Sequence, residues 1–347
     1  MPQLLIIQIP CYNEADSLPT TIAALPRSVA GFERVEFLVI NDGSTDATAQ
    51  VAHDLGVDHI LSFPRNRGLA AAYSAGIETA VMLGADVILN TDADNQYDAQ
   101  DIPQVLAPIL AHQADLVIGD RQTHLIRHFS LAKKILQKTG SWVVSHAAWL
   151  DIPDATSGFR AMTAHCALRM NVTSSFTYTL ETIIQAGHKN FAVRTVPIRT
   201  NPEMRPSRLF RSIPAYVLKS AATIVRIYAM YRALQVFMRI GMFFLLGAAI
   251  VGGRFLYFTF FDHEGGHIQS LFVCAIFAVC AFQSMLFALL ADLAANNRHL
   301  TEEVLYRQKK LLADRLRHEN RHPEIPGLWS RRPDAPEQSG ALPAVKA

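Results

Sequence analysis

Charged residues are scarce in this sequence: only 18% of its 347 residues are Asp, Glu, Lys or Arg, whereas 50% are hydrophobic. Together with a mean hydropathy of +0.16, this scarcity argues against an ordinary soluble protein and predicts that part of the chain lies in lipid. The 32 basic and 30 acidic residues leave a net charge of only +2. A histone-like polycation is thereby excluded, and we expect no nucleic-acid partner.

Cysteine is rare as well, with four residues at positions 11, 166, 274 and 280. Their spacing resembles neither a metal-binding cysteine pair nor a disulfide-rich secreted scaffold, so we expect most of the chain to face a reducing compartment. We also expect no signal peptide, because the apolar run at residues 4–10 has no basic segment before it and leads directly into polar residues.

The first 204 residues alternate short apolar runs with longer helical patterns. This alternation predicts the α/β fold class, with a mostly parallel sheet flanked by helices on both faces. Such sheets bind ligands beyond the carboxyl ends of their strands. The predicted strands are residues 4–9, 35–40, 59–63, 86–90 and 116–118, and helical patterns cover residues 18–25 and 68–83.

Polar residues follow the predicted strands where a ligand site is expected. Asp92, Asp94 and Gln96 come directly after the fourth strand and offer the oxygen ligands that Mg²⁺ prefers. An ordinary polar turn explains a lone Asp-x-Asp pair equally well. Three further polar residues follow other strands: Glu14, Asp42 and Arg67. Together they predict one cleft for a nucleoside diphosphate, with Arg67 as the nearby guanidinium.

The chain changes character after residue 204, which we take as the end of the N-terminal domain. Residues 205–233 combine basic residues with apolar residues at helical spacing, which predicts an interfacial helix on a lipid surface. Residues 234–261 and 268–291 predict a two-helix transmembrane hairpin. Residues 292–321 predict a cytoplasmic helix, and the five prolines within residues 322–347 predict a disordered tail.

The distribution of cations predicts the topology of the hairpin. Residues 205–233 carry six Lys or Arg and residues 292–321 carry seven, whereas the connector at 262–267 has none. By the positive-inside rule we expect the N-terminal domain and both termini to be cytoplasmic, as in a multi-pass protein of a bacterial inner membrane. The small-residue pairs Ala248/Gly252 and Ala249/Gly253 predict close helix packing, either within the hairpin or in a homo-oligomer.

Five short motifs occur in a characteristic order: residues 9–14 (IPCYNE), 39–46 (VINDGSTD), 66–72 (NRGLAAA), 92–97 (DADNQY) and 154–160 (DATSGFR). In this order the sequence resembles family 2 glycosyltransferases with the GT-A fold. Within that family it is most similar to the branch of dolichyl-phosphate mannose synthase and the bacterial polyprenyl-phosphate glycosyltransferases. The resemblance covers residues 4 to about 210.

The resemblance implies a role for each residue at a motif position. It implies that Pro10, Tyr12, Glu14, Asp42 and Asp92 contact the nucleotide sugar. It implies that Asp92, Asp94 and Gln96 hold Mg²⁺ or Mn²⁺. It implies catalytic carboxylates at Asp94, Asp154 and Glu181. It implies that the lipid phosphate is bound by the basic stretch with Arg199, Arg205, Ser207 and Arg208.

The expected activity is transfer of a sugar from a UDP- or GDP-sugar to polyprenyl or dolichyl phosphate, with inversion implied by the resemblance. Membrane lipids are the further partners. One alternative keeps the fold but uses a hydroxyl acceptor, with Glu181 or Asp154 as general base. Another is a non-catalytic nucleotide-sugar-binding anchor that recruits partners through the helix at 300–321.

Overall fold

The computed structural model describes residues 4–122, 131–172, 178–202, 213–261, 268–319 and 323–331, with side chains described except at 131–139, 213–221 and 223–233. The chain forms two compact units, one of residues 1–224 and 305–347 and the other of residues 225–304. In chain order the strands are β1 Leu4–Cys11, β2 Arg34–Asn41, β3 His59–Ser62, β4 Val87–Asn90, β5 Leu116–Asp120, β6 Arg160–Thr163, β7 Val193–Pro197 and β8 Leu328–Ser330. The helices are α1 Leu18–Ala24, α2 Thr48–Asp54, α3 Leu69–Met82, α4 Ile102–Leu110, α5 Leu131–Ala148, α6 Ala164–Arg169, α7 Thr179–His188, α8 Ile213–Phe261 and α9 Ile268–Glu319, with a 3₁₀ turn at Ala99–Asp101.

The first unit is built on an eight-stranded sheet in the order β7-β5-β6-β4-β1-β2-β3-β8. The four strands β4, β1, β2 and β3 are mutually parallel. All residues of β1 and β4 are buried, as expected for central strands that are covered by helices on both faces. The predicted α/β class is therefore confirmed, and the carboxyl ends of these parallel strands meet at one edge.

The sheet is more mixed than the sequence predicts. All five predicted strands are present, but β6 is antiparallel to both β4 and β5. Neither β6 nor β7 is among the predicted strands. Each is short, and β7 shows one fully buried position among five. Such strands lack the continuous apolar run that identifies the central ones.

Residues 323–331 of the tail are described and contain a strand, which corrects the prediction of disorder for that part of 322–347; residues 332–347 lie outside the described residues. Strand β8 pairs antiparallel with the edge strand β3. The Trp329 side chain packs against the hydrophobic core and lies 4.8 Å from the His53 ring, centroid to centroid. His59 contacts the Ser330 hydroxyl at 2.8 Å. Pro326, two residues before this strand, does not prevent its three residues from pairing with an exposed sheet edge.

The second unit consists of the apolar portions of α8 and α9. Two helices among the described residues, Leu234–Phe261 and Ile268–Glu319, are long and apolar enough to cross a membrane. Ala248 and Ala281 are buried, and a Cβ on Gly252 would lie 3.1 Å from Cys274 Sγ. The Ala248/Gly252 pair therefore packs within the hairpin. Its neighbour Gly253 has no atom within 4 Å of its Cβ position.

The predicted boundaries at 233/234 and 291/292 are not breaks in the helices. The backbone of α8 is helical from Ile213 to Phe261, and that of α9 from Ile268 to Glu319. No proline lies within either helix beyond its first turn, so nothing in the sequence forces a break there. The helix predicted at 292–321 is the continuation of α9.

Candidate active site

The loops that follow β1, β2 and β4 lie together at one edge of the sheet. Cys11 of β1 is in register with Asn41 of β2, and Gln8 of β1 is in register with Asn90 of β4. Because these strands are parallel, their carboxyl ends bring Tyr12, Asp42 and Asp92 to the same side of the sheet. The structure thus places the first, second and fourth motifs at the same edge of the sheet.

The loops after β1 and β2 are joined by polar contacts. Asn13 adopts a left-handed conformation with φ of 56°, its Oδ1 accepts a hydrogen bond from the Thr45 N–H at 2.8 Å, and its own N–H donates to Ser44 Oγ at 2.9 Å. The Glu14 N–H donates to Thr48 Oγ1, also at 2.9 Å. The Ser17 hydroxyl donates to the Glu14 carboxylate at 2.5 Å. Glu14 is therefore held within the loop.

The two other residues predicted after β1 differ in exposure. Pro10 is buried within the strand, where it shapes the backbone and offers no polar group. Tyr12, directly after β1, is 43% exposed at this edge of the sheet. An exposed aromatic ring at this position is available to stack on a nucleotide base.

Asp42 binds backbone amides of the loop after β3. The Arg67 and Gly68 N–H groups donate to its two carboxylate oxygens, at 2.7 Å and 2.9 Å. Burial raises the Asp42 pKa, although the same two hydrogen bonds oppose the shift. Gly68 has φ of +91° at the N-cap of α3, a conformation that favours glycine. Asp42 thus fixes this loop, and the Arg67 side chain remains exposed over the Phe63 ring, 5.0 Å from its centroid.

Asp92 and Asp94 form an acidic pair directly after β4. The pKa of Asp92 is raised to about 7. Burial is the larger cause, and the negative charge of Asp94 is the second. Asp94 Oδ1 accepts a hydrogen bond from the Gln96 N–H at 3.1 Å, and Asn95 between them has φ of 54°. The turn therefore keeps two like charges close together. A divalent cation would relieve their repulsion, and the donor set of two carboxylates plus an amide suits Mg²⁺ or Mn²⁺.

This acidic turn is supported from behind by a buried polar network. The Tyr97 hydroxyl hydrogen-bonds Asp92 and accepts from the Gly158 N–H at 2.9 Å. The Asn90 side-chain amide donates to the Gly158 carbonyl at 2.8 Å. A Cβ on Gly158 would lie only 2.9 Å and 3.0 Å from the Asp92 carboxylate oxygens. Gly158 therefore permits the backbone to approach Asp92.

Asp154 is buried in an ion pair with Arg121. The Arg121 guanidinium donates to both Asp154 oxygens, through Nε at 2.7 Å and Nη2 at 3.0 Å. Although burial opposes ionisation, these contacts and Thr156 lower the Asp154 pKa. A carboxylate held in this way is a weak base, and the catalytic role of Asp154 stays a prediction.

Glu181 is fully buried in the first turn of α7, where the Gln185 amide donates to Oε1 at 3.3 Å. Tyr178, just before this helix, lies beside Asn90 and Gly158 of the site. The catalytic role of Glu181 stays a prediction. Its neighbour on the same helix, Thr182, accepts a hydrogen bond from Arg160 at 2.7 Å and so connects α7 to β6.

Arg199 is the one predicted lipid-phosphate residue that the described part of the chain includes. Its guanidinium donates to Asp101 Oδ1 at 2.8 Å and approaches Asp98 at 3.2 Å, and its N–H donates to Asp101 Oδ2 at 2.6 Å. Arg199 is therefore neutralised by the 3₁₀ turn. Arg205, Ser207 and Arg208 lie outside the described residues.

Two residues of the site are missing from the predictions. Arg121 follows β5 and interacts electrostatically with Asp92, and Tyr97 bridges Asp92 to Gly158. Arg121 follows a predicted strand at 116–118 and could have been found by the rule applied to the other strands. Nothing in the sequence indicates that the Tyr97 hydroxyl points toward Asp92.

Residues 6–162 match the profile of the family described as Glycosyl transferase family 2. The polyprenol monophosphomannose synthase of Mycolicibacterium smegmatis is 26% identical over 219 residues, which cover 60% of this chain and 81% of that protein. The undecaprenyl-phosphate mannosyltransferase of Micrococcus luteus is 32% identical over 163 residues, covering 45% of this chain and 65% of that one.

A solved structure supports the fold. Glucosyl-3-phosphoglycerate synthase from Mycobacterium tuberculosis, in complex with Mn²⁺, UDP-glucose and glycerol 3-phosphate, superposes with a TM-score of 0.51. The match covers 66% of this chain and 80% of that chain, at 15% sequence identity. At this identity the likeness bears on the fold, and the expected GT-A fold is confirmed.

Proposed function

From the match of residues 6–162 to the Glycosyl transferase family 2 profile, we propose that the chain belongs to this family and transfers a sugar from a UDP- or GDP-sugar to polyprenyl phosphate. In this reaction a phosphate oxygen of the lipid bonds to the anomeric carbon of the sugar. The bond from that carbon to the diphosphate breaks, and the nucleoside diphosphate leaves. The two named relatives, a polyprenol monophosphomannose synthase and an undecaprenyl-phosphate mannosyltransferase, support this choice of acceptor.

The donor lies along the edge formed by β1, β2 and β4. Tyr12 is the exposed ring at this edge and stacks on the base. Asp42 acts indirectly, because its carboxylate fixes the Arg67–Gly68 loop. This leaves the Arg67 guanidinium exposed beside the path of the diphosphate, where its positive charge favours the anion.

Asp92, Asp94 and Gln96 would hold the divalent cation. Bound there, a Mg²⁺ or Mn²⁺ ion supplies Lewis-acid stabilisation of the negative charge on the departing diphosphate. The chain's own contribution is to keep the two carboxylates together. Tyr97 and the Asp94–Gln96 turn provide this restraint before any substrate binds.

The acceptor needs placement more than it needs a base. The second pKa of a phosphate monoester is about 6, so at neutral pH the lipid phosphate is largely dianionic and nucleophilic without losing a further proton. Arg121 provides a fixed positive charge near Asp92, and Asp154 holds it there. A hydroxyl acceptor would need a general base, but both carboxylates considered for that role, Asp154 and Glu181, are buried and hydrogen-bonded.

Membrane attachment fits an acceptor that resides in lipid. Leu234–Phe261 and the apolar portion of Ile268–Glu319 are candidate spans by length and composition. We propose that they anchor the protein in a bacterial inner membrane with the catalytic domain on the cytoplasmic side. The basic segments that flank the hairpin support this orientation through the positive-inside rule.

The acidic Asp92–Asp94 pair at the carboxyl end of β4 carries the proposal most directly. The test is an assay of membranes containing the full chain, with a panel of labelled nucleotide sugars and Mg²⁺ or Mn²⁺. Polyprenyl phosphate and hydroxyl acceptors are offered separately. We expect label only in a lipid product from which mild acid releases the sugar. Label in an acid-stable glycoside would establish a hydroxyl acceptor instead.

A further inference from the structure

Asn201 lies in the segment that follows β7, and it hydrogen-bonds residues 94–97, which we refer to as the cation turn. Its side-chain amide donates to the Asn95 carbonyl at 2.9 Å and to the Tyr97 carbonyl at 3.3 Å. Its backbone N–H donates to the carbonyl of the residue between them, Gln96, at 2.9 Å. Three consecutive carbonyls of the cation turn are therefore bound by one residue that is distant in the sequence.

The segment that contains Asn201 is itself anchored on the domain. Thr200 pairs antiparallel with Tyr97 as an isolated β-bridge, and the Asp98 N–H donates to the Arg199 carbonyl at 3.3 Å. Arg199 is also bound by the 3₁₀ turn through its guanidinium and its own N–H. Because its neighbours are fixed in this way, the Asn201 amide loses little further freedom when it binds the cation turn.

One peptide group of the cation turn is held at both ends. Asn95 has φ of 54°, in the left-handed region that residues with a side chain adopt rarely. Such a conformation persists where the surrounding structure fixes it. The Asn95 carbonyl and the Gln96 N–H belong to the same peptide group. Asn201 binds the carbonyl and Asp94 binds the N–H, so together they fix the orientation of this group.

Through the cation turn, Asn201 influences both carboxylates of the proposed cation site. Asp94 accepts its hydrogen bond from the peptide group that Asn201 holds. Tyr97, whose carbonyl Asn201 also binds, carries the hydroxyl that hydrogen-bonds Asp92. Removing the Asn201 amide would therefore release the supports of Asp92 and Asp94 at the same time.

From these contacts we infer that Asn201 is a positioning residue, which keeps the cation turn in a geometry that favours Mg²⁺ over larger divalent cations. Mg²⁺ requires nearly ideal octahedral coordination, whereas Ca²⁺ accepts more oxygen ligands in a flexible arrangement. A rigid turn therefore selects the smaller ion, and a loosened turn loses this selection. The inference rests on the cation site of the proposed function, and it adds a residue that lies outside the five sequence motifs.

Two substitutions in the full chain, purified in detergent, test the side-chain amide. Asn201→Leu keeps a side chain of similar size but has no donor, and Asn201→Ala removes both the size and the donor. Both retain the backbone N–H that binds Gln96. The matched control is Thr200→Val, because Thr200 pairs with the cation turn through its backbone, which a change of side chain preserves.

Hydrogen exchange of the metal-free protein tests the contact itself. We expect the Gln96 and Asp98 amides to exchange about fivefold faster in both Asn201 variants than in Thr200→Val, because the turn opens locally more often without the amide. The remaining amides of the central sheet should exchange at the control rate. Equal exchange of the Gln96 and Asp98 amides in all three variants would show that Asn201 does not hold the turn, and would overturn the inference.

Equilibrium dialysis of Mn²⁺, in the presence of UDP or of GDP, tests the effect on the cation. Asp94→Asn defines the Mn²⁺ that binds elsewhere on the chain, and Mg²⁺ and Ca²⁺ are added as competitors. We expect both Asn201 variants to bind Mg²⁺ about tenfold more weakly than Thr200→Val, and Ca²⁺ less than about twofold more weakly. An unchanged ratio of the Mg²⁺ affinity to the Ca²⁺ affinity would overturn the inference, because a purely structural residue would weaken the binding of both ions equally.

These measurements involve no sugar transfer, so they separate the role of Asn201 from the proposed function. If the unaltered chain binds no more Mn²⁺ than Asp94→Asn, the cation site of the proposed function is wrong, and the inference fails with it. If the unaltered chain binds Mn²⁺ at this site but the Asn201 variants keep the control's preference for Mg²⁺, the cation site stands and only the role of Asn201 is wrong.

Discussion

The carboxylate of Asp154 accepts two hydrogen bonds from the guanidinium of Arg121, at 2.7 Å and 3.0 Å, in a place where Asp154 is 1% exposed. This pair joins the end of β5 to the loop that precedes β6. It also sets a positive charge near Asp92. This part of the site, beside Asp92, is thus held by a buried ion pair.

Breaking this ion pair should destabilise the domain. In Asp154→Asn the Arg121 cation loses its buried partner, which costs about 3–5 kcal/mol of the free energy of unfolding. Replacing both residues, as in Arg121→Met/Asp154→Leu, should cost less than the single change because no charge is left unpaired. Chemical denaturation of the purified variants measures both. A single variant within about 0.5 kcal/mol of the unaltered protein would contradict the assignment.

Gly158→Ala should reduce activity far more than stability. The new Cβ would lie 2.9 Å from an Asp92 carboxylate oxygen and 3.0 Å from the Tyr178 hydroxyl, so Asp92 must move. A displacement of about 1 Å at a catalytic group costs about 100-fold in rate. The matched control is Gly140→Ala in α5, where no atom lies within 4 Å of the Cβ position. The control should keep full activity and gain up to about 1 kcal/mol of stability. Equal activity in the two variants would contradict the role of Gly158.

Asp92→Asn should stabilise the metal-free protein at alkaline pH while removing activity. Because the folded-state pKa of Asp92 is raised to about 7, the folded protein holds this proton more tightly than the unfolded chain. The resulting loss of stability therefore develops as the pH rises from about 4 to about 7 and is complete above that range. At about pH 8 the variant should exceed the unaltered protein by at least about 1 kcal/mol, whereas at about pH 4 the two should agree.

Thermal unfolding in the presence of a chelator, repeated across this pH range, measures the difference. If the difference in stability between Asp92→Asn and the unaltered protein stayed constant from about pH 4 to about pH 8, Asp92 would not titrate in that range. The experiment examines stability without substrate, so its outcome does not depend on which sugar the enzyme uses.

Trp329→Ala should weaken the catalytic domain even though the residue lies near the C-terminus. Its side chain packs on the core and its strand covers the edge of β3. Losing a partly buried indole should cost about 2–3 kcal/mol and expose an unpaired strand edge. Leu311→Ala on α9 is the control, since Leu311 is 69% exposed and should change stability by less than about 0.5 kcal/mol. If Trp329→Ala and Leu311→Ala shifted the midpoint of denaturation equally, β8 would not stabilise the domain.

The sequence predicts the central sheet well because its strands carry long apolar runs. All residues of Leu4–Cys11 are buried, and such a pattern is hard to mistake. Strand β8, with three residues, forms only because β3 offers a free edge, and this tertiary condition cannot be inferred from the tail alone. Prolines in the tail therefore suggested disorder where the chain in fact pairs.

The site is predicted in part for a similar reason. Asp42, Asp92 and Asp94 each follow a parallel strand, and parallel strands place their carboxyl ends at one edge. This rule was enough to predict that the three residues lie at the same edge. It could not show that Asp42 holds backbone amides, that Arg199 is paired with Asp101, or that Glu181 is buried. Those facts depend on side-chain directions, which residue types and spacing do not determine.

The central claim is that Asp94 helps a divalent cation to stabilise the leaving nucleoside diphosphate during transfer to a lipid phosphate. The most direct test measures, by mass spectrometry, the glycosylated polyprenyl phosphate made by membranes that contain the unaltered chain, Asp94→Asn or the control Asp54→Asn. Asp54 has a 63% exposed side chain on α2 and is not part of the site. We predict metal-dependent product from the unaltered chain and from Asp54→Asn, and at least about a 100-fold loss in Asp94→Asn with normal folding. Unchanged product formation by folded Asp94→Asn would contradict the account.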